Sequence, residues 1–310
     1  MIPTRVFLSG GSGFVGSSVL TELVTRGLNV RALVNRGTVK IESPKVEVVR
    51  GDLFDDTALD RAMAGCDAAI HLVGIIMEKP SKDVTFERIH VEGTRRVLEA
   101  AKRNGVRRYV HMSALGTRDG ARSMYHRTKY QAEQIVQSSG LDWTIIRPSL
   151  IHGPGGEFMQ MEVGWARGKK APWVAMPYFG AGLFGQARAG KLQPVYVNDV
   201  SRAFVDCLEN PKTAGSIYEL GGGEAMSWPA MHRLVSQKLL GKERPTVAIP
   251  VWYAKLVASL IPGSMLPFNK DQVMMAEEDN VTGQPDKFVQ DFGWQPRPMG
   301  VALDEYIDKL

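Results

Sequence analysis

The stretch Leu8-Ser9-Gly10-Gly11-Ser12-Gly13-Phe14-Val15-Gly16 constrains the fold of this chain more than any other. It follows the apolar run Val6-Phe7-Leu8 and precedes Val15, Val19, Leu20, Leu23 and Val24, spaced as one face of a helix that Gly27 can close. Gly10 permits a tight turn, Gly13 lets a pyrophosphate approach the backbone, and Gly16 lets the helix pack on the strand. The helix N-terminus then faces the phosphates. The pattern predicts a bound dinucleotide, with Ser12, Phe14 and Val15 completing the loop around it.

The rhythm set by this unit continues. Val30–Val34, Val46–Val49, Ala68–Val73, Tyr109–Met112 and Trp143–Ile146 read as further strands. Helical patterns run over Phe86–Asn104, stopped by Gly105, and Tyr125–Ser139, stopped by Gly140. Continuous apolar strands joined by helical crossovers imply a parallel sheet covered on both faces. The expected class is α/β: a Rossmann-type doubly wound parallel sheet with a smaller, mainly helical C-terminal lobe. The expected division is a dinucleotide-binding domain over 1–150 and a substrate or lid lobe over 151–310, the chain re-entering the sheet near 194–220. In that second half, Pro194–Val197 and Ile217–Leu220 read as strands. Asp199–Leu208, Pro229–Leu240 (capped by Ser227), Trp252–Leu260 and Asn269–Glu278 read as helices. Gly153–Leu192 has no period but is rich in apolar side chains: Phe158, Met159, Met161, Trp165, Trp173, Met176, Phe179, Leu183 and Phe184. These either line a hydrophobic pocket or form the core of the lobe.

Composition narrows the function classes. The formal net charge of +5 comes from scattered basic residues, which suits a solvated surface and argues against a nucleic-acid partner. Cys66 and Cys207 are too few for a disulfide framework. His71, His111, His126, His152 and His232 show no i,i+4 pairing with one another or with a cysteine, so no metal site is expected. The N-terminus enters the glycine loop before a signal-peptide core could form, and the apolar stretch Val247–Leu266 is broken by Pro250, Lys255 and Pro262. The expectation is a cytoplasmic protein without a transmembrane segment. Peripheral association with the inner membrane face or with a complex stays open, and the sequence carries no signal for an oligomeric state or a particular small-molecule substrate.

Cofactor choice is read at the end of the second strand. NAD-binding chains commonly place an acid there for the ribose 2′-hydroxyl. This one has Asn35-Arg36, with Arg31 on the strand itself. A guanidinium suits a 2′-phosphate, so NADP(H) is favoured over NAD(H), the alternative being a solvated loop arginine. Asp52, followed by Leu53, ends the third strand, where it either hydrogen-bonds the adenine amino group or caps the next helix. Further on, Tyr125 and Lys129 lie four apart on one helical face. There an ammonium can lower the phenol's pKa and donate to ribose hydroxyls, leaving the phenol to act as general acid/base.

With Ser113 after the fifth strand, Arg147-Pro148-Ser149 and Gly153-Pro154-Gly155, these motifs resemble the extended and atypical short-chain dehydrogenase/reductases. Val110-His111-Met112-Ser113-Ala114-Leu115-Gly116, Gln193–Val200 and Asp279-Asn280-Val281 are most similar to the branch of the NAD(P)-binding accessory subunit of respiratory complex I and its bacterial relatives. The resemblance implies that Ser113 hydrogen-bonds the substrate oxygen beside Tyr125. It also implies that Leu72, Val73 and Gly74 flank the nicotinamide ribose and that Pro148 lies against the nicotinamide. His90 stands where many members carry an asparagine that helps organise a proton relay, so its replacement puts that relay in doubt; the favoured reading is a buried helix residue hydrogen-bonded to backbone. The function so implied is an NAD(P)(H)-dependent oxidoreductase or epimerase acting at a carbonyl/alcohol carbon. The alternatives are a catalytically silent NADP(H)-binding accessory or assembly protein of a respiratory complex, and a redox-sensing regulator.

Overall fold

The computed structural model describes residues 3–184, 189–260 and 268–310. Strand β1 (Arg5–Ser9) leads through the glycine loop into α1 (Phe14–Thr25), followed by β2 (Asn29–Val34) and β3 (Val46–Arg50). Then come α2 (Asp56–Met63), β4 (Ala68–His71), α3 (Gly93–Arg103), β5 (Arg108–Met112), α4 (Met124–Gln137) and β6 (Asp142–Pro148). The second half contains β7 (Ile151–His152), α5 (Glu157–Ala166), β8 (Met176–Gly180), β9 (Lys191–Leu192), β10 (Val195–Tyr196), α6 (Val197–Glu209) and β11 (Ser216–Leu220). It ends with β12 (Met226–Ser227), α7 (Trp228–Leu240), β13 (Thr246–Pro250), α8 (Val251–Leu260), α9 (Lys270–Ala276), α10 (Pro285–Phe292) and α11 (Met299–Asp304).

Seven strands form one parallel sheet in the order β11-β6-β5-β4-β1-β2-β3. Its two faces bury separate apolar layers. Val6 and Leu8 meet Val19, Leu20 and Leu23 of α1 and Phe204 of α6 on one side. Phe7, Ala69 and Tyr109 meet Leu59, Met63, Val97, Ala101 and Val136 of α2, α3 and α4 on the other. Burial on both faces is why these strands read as unbroken apolar runs rather than alternating ones. β11 comes from beyond residue 150 and pairs with β6, Ser216 opposite Thr144 through Leu220 opposite Pro148. The strand order reverses between β1 and β4, and in such sheets ligands bind at the C-terminal ends beside the reversal. The glycine loop after β1 and the loop after β4 lie there.

Several local readings need correction. β4 ends at His71, not Val73, so Leu72–Gly74 belong to the loop at the reversal. The helix expected from Phe86 begins as a π-helical turn over Glu87–Glu92 before α3. The cap of α2 is Asp55, whose carboxylate accepts from the Ala58 N–H at 3.0 Å; Asp52 does not cap it. The lobe is mainly helical as expected, and it also holds a parallel β8–β13 pair that the sequence did not announce. Of its apolar residues, Met159 and Met176 are fully buried, whereas Trp173, Leu183 and Phe184 are exposed. Residues 261–266 of the Val247–Leu266 stretch lie outside the described residues. No described helix is long and apolar enough to cross a membrane.

Candidate active site

Gly10 turns the chain out of β1 at φ +81°, a left-handed conformation that glycine adopts without strain. Its carbonyl accepts from the Gly13 N–H at 3.0 Å, and a side chain on Gly16 would sit 1.9 Å from the same oxygen. Gly16 is therefore a packing requirement. Gly13 differs: a Cβ there would meet only the Gly10 carbonyl, at 3.3 Å, so the space in front of the helix is open. Gly13 caps α1 with no side-chain acceptor, and the first turn has no acid. The amide N–H groups of that turn are left for an outside acceptor, as an anion-binding helix N-terminus requires.

The loop leans on the end of β4, where a Gly10 Cβ would lie 3.3 Å from both Leu72 Cβ and Val73 N. A Cβ on Gly74 would lie 3.0 Å from Lys129 Nζ and 3.6 Å from His90 Nε2. Lys129 in turn donates to the Met112 carbonyl at 3.0 Å, and Met112 is the residue before Ser113. The contacts thus run unbroken from the glycine loop through Leu72, Val73 and Gly74 to Lys129 and the end of β5. On the far side, the Leu115 N–H donates to the Pro148 carbonyl at 2.9 Å, which fixes the end of β6 beside the loop carrying Ser113. Phe14 carries the glycine loop to the lobe: Cβ atoms on Gly153 and Gly156 would come within 3.3 and 2.9 Å of its ring. That contact accounts for the glycine at 156, whereas at Gly153 a Cβ would meet Val197 Cγ1 first, at 2.6 Å.

Lys129 is 2% exposed, and its ammonium has no ion pair among the described residues. The nearby Glu133 carboxylate is taken by Arg147, at 2.8 and 2.5 Å. Burial pulls the Lys129 pKa down to about 8, against a smaller opposing pull from Glu133. One acceptor for three N–H donors leaves room for the two hydroxyls of a ribose. Tyr125, one turn earlier, has no hydrogen bond to its hydroxyl among the described residues. Its ring packs edge-on to Phe86 and His90, with centroids 5.9 and 5.4 Å away. Here the expected direction is reversed. Burial pushes the Tyr125 phenol up to about 12, because the ring is withdrawn from water. Ser113 is buried, and among the described residues its hydroxyl donates only to Thr117, at 3.3 Å.

His90 lies on the π-helical turn, buried, with Nδ1 2.9 Å from the Thr128 hydroxyl and Nε2 3.1 Å from both the N and O of Ile75. Burial, then the Lys129 charge, lowers its pKa to about 2, so it is neutral. It anchors the loop after β4 to α4, a tie the sequence did not show. π-Turns often mark functional sites.

At the adenosine end, Asn35 donates its side-chain amide to Asp52, whose other oxygen accepts from the Phe54 N–H at 3.0 Å. Leu53 is buried beneath them. Arg31 points away and is engaged by Glu47 at 2.8 Å and by carbonyls at the end of α2. Arg36 is exposed and has no side-chain partner among the described residues. The Ser12 hydroxyl donates to its backbone carbonyl at 3.4 Å, bringing the glycine loop against it. At the mouth above Tyr125, Asn269 Nδ2 donates to the Ile76 carbonyl at 3.2 Å, and Asp271 accepts from the Met124 N–H at 2.8 Å. Ile76 and Met124 are exposed there. Neither had a periodic signal, since both sit where loops converge.

Comparison with known proteins agrees with this geometry. A family model described as NAD(P)H-binding matches residues 10–164. The mitochondrial 40 kDa subunit of NADH-ubiquinone oxidoreductase from Neurospora crassa is 24% identical over 96% of this chain and 77% of its own length. The 4-hydroxy-2-methyl-3-oxo-4-farnesyl-3,4-dihydroquinoline-1-oxide ketoreductase of Stigmatella aurantiaca is 32% identical over 55% of this chain. The chain spans only 57% of that relative's length. Among solved structures, UDP-glucose 4-epimerase from Thermotoga maritima superposes with a TM-score of 0.72 at 19% identity, covering 98% of this chain and 99% of that one. That likeness concerns the fold.

Proposed function

The chain belongs to the NAD(P)H-binding family, as an extended short-chain dehydrogenase/reductase of the epimerase/dehydratase type, and from that premise we propose that it is an NADPH-dependent reductase of an apolar carbonyl compound. The observation that carries the reading is the buried Lys129 ammonium, held between Gly74 and the end of β5 with a single hydrogen-bond acceptor among the described residues. A buried charge without a counter-ion costs stability and persists where a ligand uses it.

A bound dinucleotide would supply a hydride. The amides of the first α1 turn would hold its pyrophosphate past Gly13, Lys129 would donate to its ribose hydroxyls, Leu72, Val73 and Gly74 would flank the nicotinamide ribose, and Pro148 would lie against the nicotinamide. Arg36 would take the 2′-phosphate, and Asn35 with Asp52 would face the adenine. Ser113 orients the carbonyl oxygen, and Tyr125 donates a proton to it. A phenol held near 12 is fully protonated at neutral pH, which suits a donor in the reductive direction. Exposed Ile76 and Met124 at the mouth favour an apolar substrate, as does the farnesylated ketone of the Stigmatella relative.

A second reading is a protein that holds NADP(H) without turnover; the likeness to the 40 kDa respiratory subunit along nearly the whole chain favours it. Tyr125→Phe separates the two. It removes a hydroxyl with no protein partner, so folding and NADPH affinity should hold. Reduction of an apolar ketone should fall by roughly two to four decades. An unchanged rate would remove Tyr125 from the mechanism.

A further inference from the structure

Helix α8 follows β13 directly and buries Val251 and Ala254 against Val273 of α9. Its opposite face is turned to solvent. Trp252, Leu256 and Leu260, spaced four apart, share it with Tyr253, Leu183 and Phe184, all between 50% and 74% exposed. The last two belong to the same surface, because the Trp252 indole N–H donates to the Leu183 carbonyl at 3.0 Å. Soluble monomers rarely leave so much adjoining apolar surface uncovered. Trp and Tyr at one end of the stripe and leucines along the rest is how a helix lies in a bilayer interface, its rings at headgroup level.

Charge selects the partner. The segments that build this edge, 163–184 and 241–260, are joined by the β8–β13 pairing. They carry Arg167, Lys169, Lys170, Lys242, Arg244 and Lys255 against one acid, Glu243. Lys255 is paired with Glu277 at 2.6 Å, and Arg167 and Arg244 donate to backbone carbonyls. Lys169, Lys170 and Lys242 have no ion pair among the described residues. Trp173 and Val174 stand exposed beside Lys170, whose carbonyl accepts from the Trp173 N–H at 2.8 Å. A positive edge with an apolar face complements anionic headgroups over acyl chains and would repel a second copy of itself.

We propose that α8 and the β8–β13 edge dock this protein on an anionic membrane surface. The edge continues to the loop after β4 and the start of α4 beside Tyr125, since α9 packs on α8 while Asn269 donates to the Ile76 carbonyl and Asp271 accepts from the Met124 N–H. An amphiphilic carbonyl compound leaving the bilayer enters along that path; only this last step rests on the reductase reading.

The test is co-sedimentation of the full chain with vesicles of phosphatidylcholine alone or mixed with phosphatidylglycerol, with no dinucleotide or substrate present. The protein should pellet with the anionic vesicles and be released by salt. Leu256→Glu combined with Leu260→Glu should weaken partitioning by about tenfold or more, since each leucine loses its burial in lipid. Lys169→Glu with Lys170→Glu should remove the preference for anionic lipid. All four positions are exposed, so circular dichroism and melting temperature should match the parent. Parent protein that stays in the supernatant with every vesicle overturns the proposal, as does leucine-pair protein that pellets like the parent. A dimer in light scattering that the leucine variant splits, with no vesicle binding, overturns it in favour of self-association. Any of these outcomes leaves the reductase reading untouched.

Discussion

Replacing Lys129 with Met should stabilise the protein when no dinucleotide is present and weaken dinucleotide binding. Burial lowers the lysine's pKa from 10.5 to about 8. Above 10.5 the group is neutral in both folded and unfolded chains and costs nothing. Between the two values the unfolded chain holds a proton that the folded one has lost, so stability rises with pH across that window. Below about 8 both states are charged and the penalty is complete. At about 1.4 kcal/mol for each pH unit between them, the penalty near pH 7 is about 3 kcal/mol. Methionine fills a similar volume but leaves the Met112 carbonyl without its donor, a loss of about 1–2 kcal/mol. The net gain is therefore about 1–2 kcal/mol, a rise of a few degrees in melting temperature for a chain of this size. Scanning calorimetry of both proteins without dinucleotide, from about pH 6 to 10.5, reads the gap, which should shrink as pH rises above about 8 and change sign before 10.5, where only the lost hydrogen bond remains. A Lys129→Met protein less stable than the parent near pH 7, or a gap that ignores pH, would refute the reasoning.

Arg36→Glu should weaken NADPH by about ten- to a hundredfold in titrations and leave NADH unchanged or tighter, because a charge-assisted contact is lost to the 2′-phosphate alone; equal losses for both cofactors would count against the assignment. The loop glycines should divide by role. Gly13→Val blocks the open space before the helix and should abolish dinucleotide binding with little change in melting temperature, whereas Gly16→Val drives a side chain into the Gly10 carbonyl and should lower the melting temperature itself. Five histidines are held neutral by burial: His111 lies well below its usual value, and the pKa is about 3 for His71, 2 for His90, 4 for His126 and 3 for His152. Each contributes stability that is complete above 6.5 and lost as pH falls toward its folded value, so thermal stability should drop steeply below pH 6.5. A flat melting temperature from pH 7 to 5 would show that these rings are accessible.

The strands of the sheet and the glycine loop were legible because each is a contiguous signal: an unbroken apolar run, or glycines at fixed spacing beside one. Tyr125 and Lys129 were legible for the same reason, sharing one helical face. What escaped depends on contacts between distant segments. The tie from His90 to Ile75 and Thr128 needs the π-turn, which no apolar period announces. The pairing of β8 with β13 joins residues about seventy apart, in stretches with no alternation. Methionines and aromatics between 158 and 184 looked alike as letters, yet Met159 and Met176 went inward and Trp173 and Phe184 outward. The direction of the Tyr125 shift was misjudged because spacing places an ammonium nearby without showing how deeply the phenol is buried.

Transfer of label from cofactor to product tests the central claim most directly. The protein is incubated with NADPH deuterated at the nicotinamide C4 and a panel of long-chain, polycyclic and quinonoid ketones, and the products are read by mass spectrometry. The account predicts that at least one apolar ketone yields an alcohol carrying deuterium on the former carbonyl carbon, and that Tyr125→Phe yields little of it at the same NADPH occupancy. Tight NADPH binding with no deuterated alcohol from any member of the panel would contradict it and leave a protein that holds the dinucleotide without turning it over.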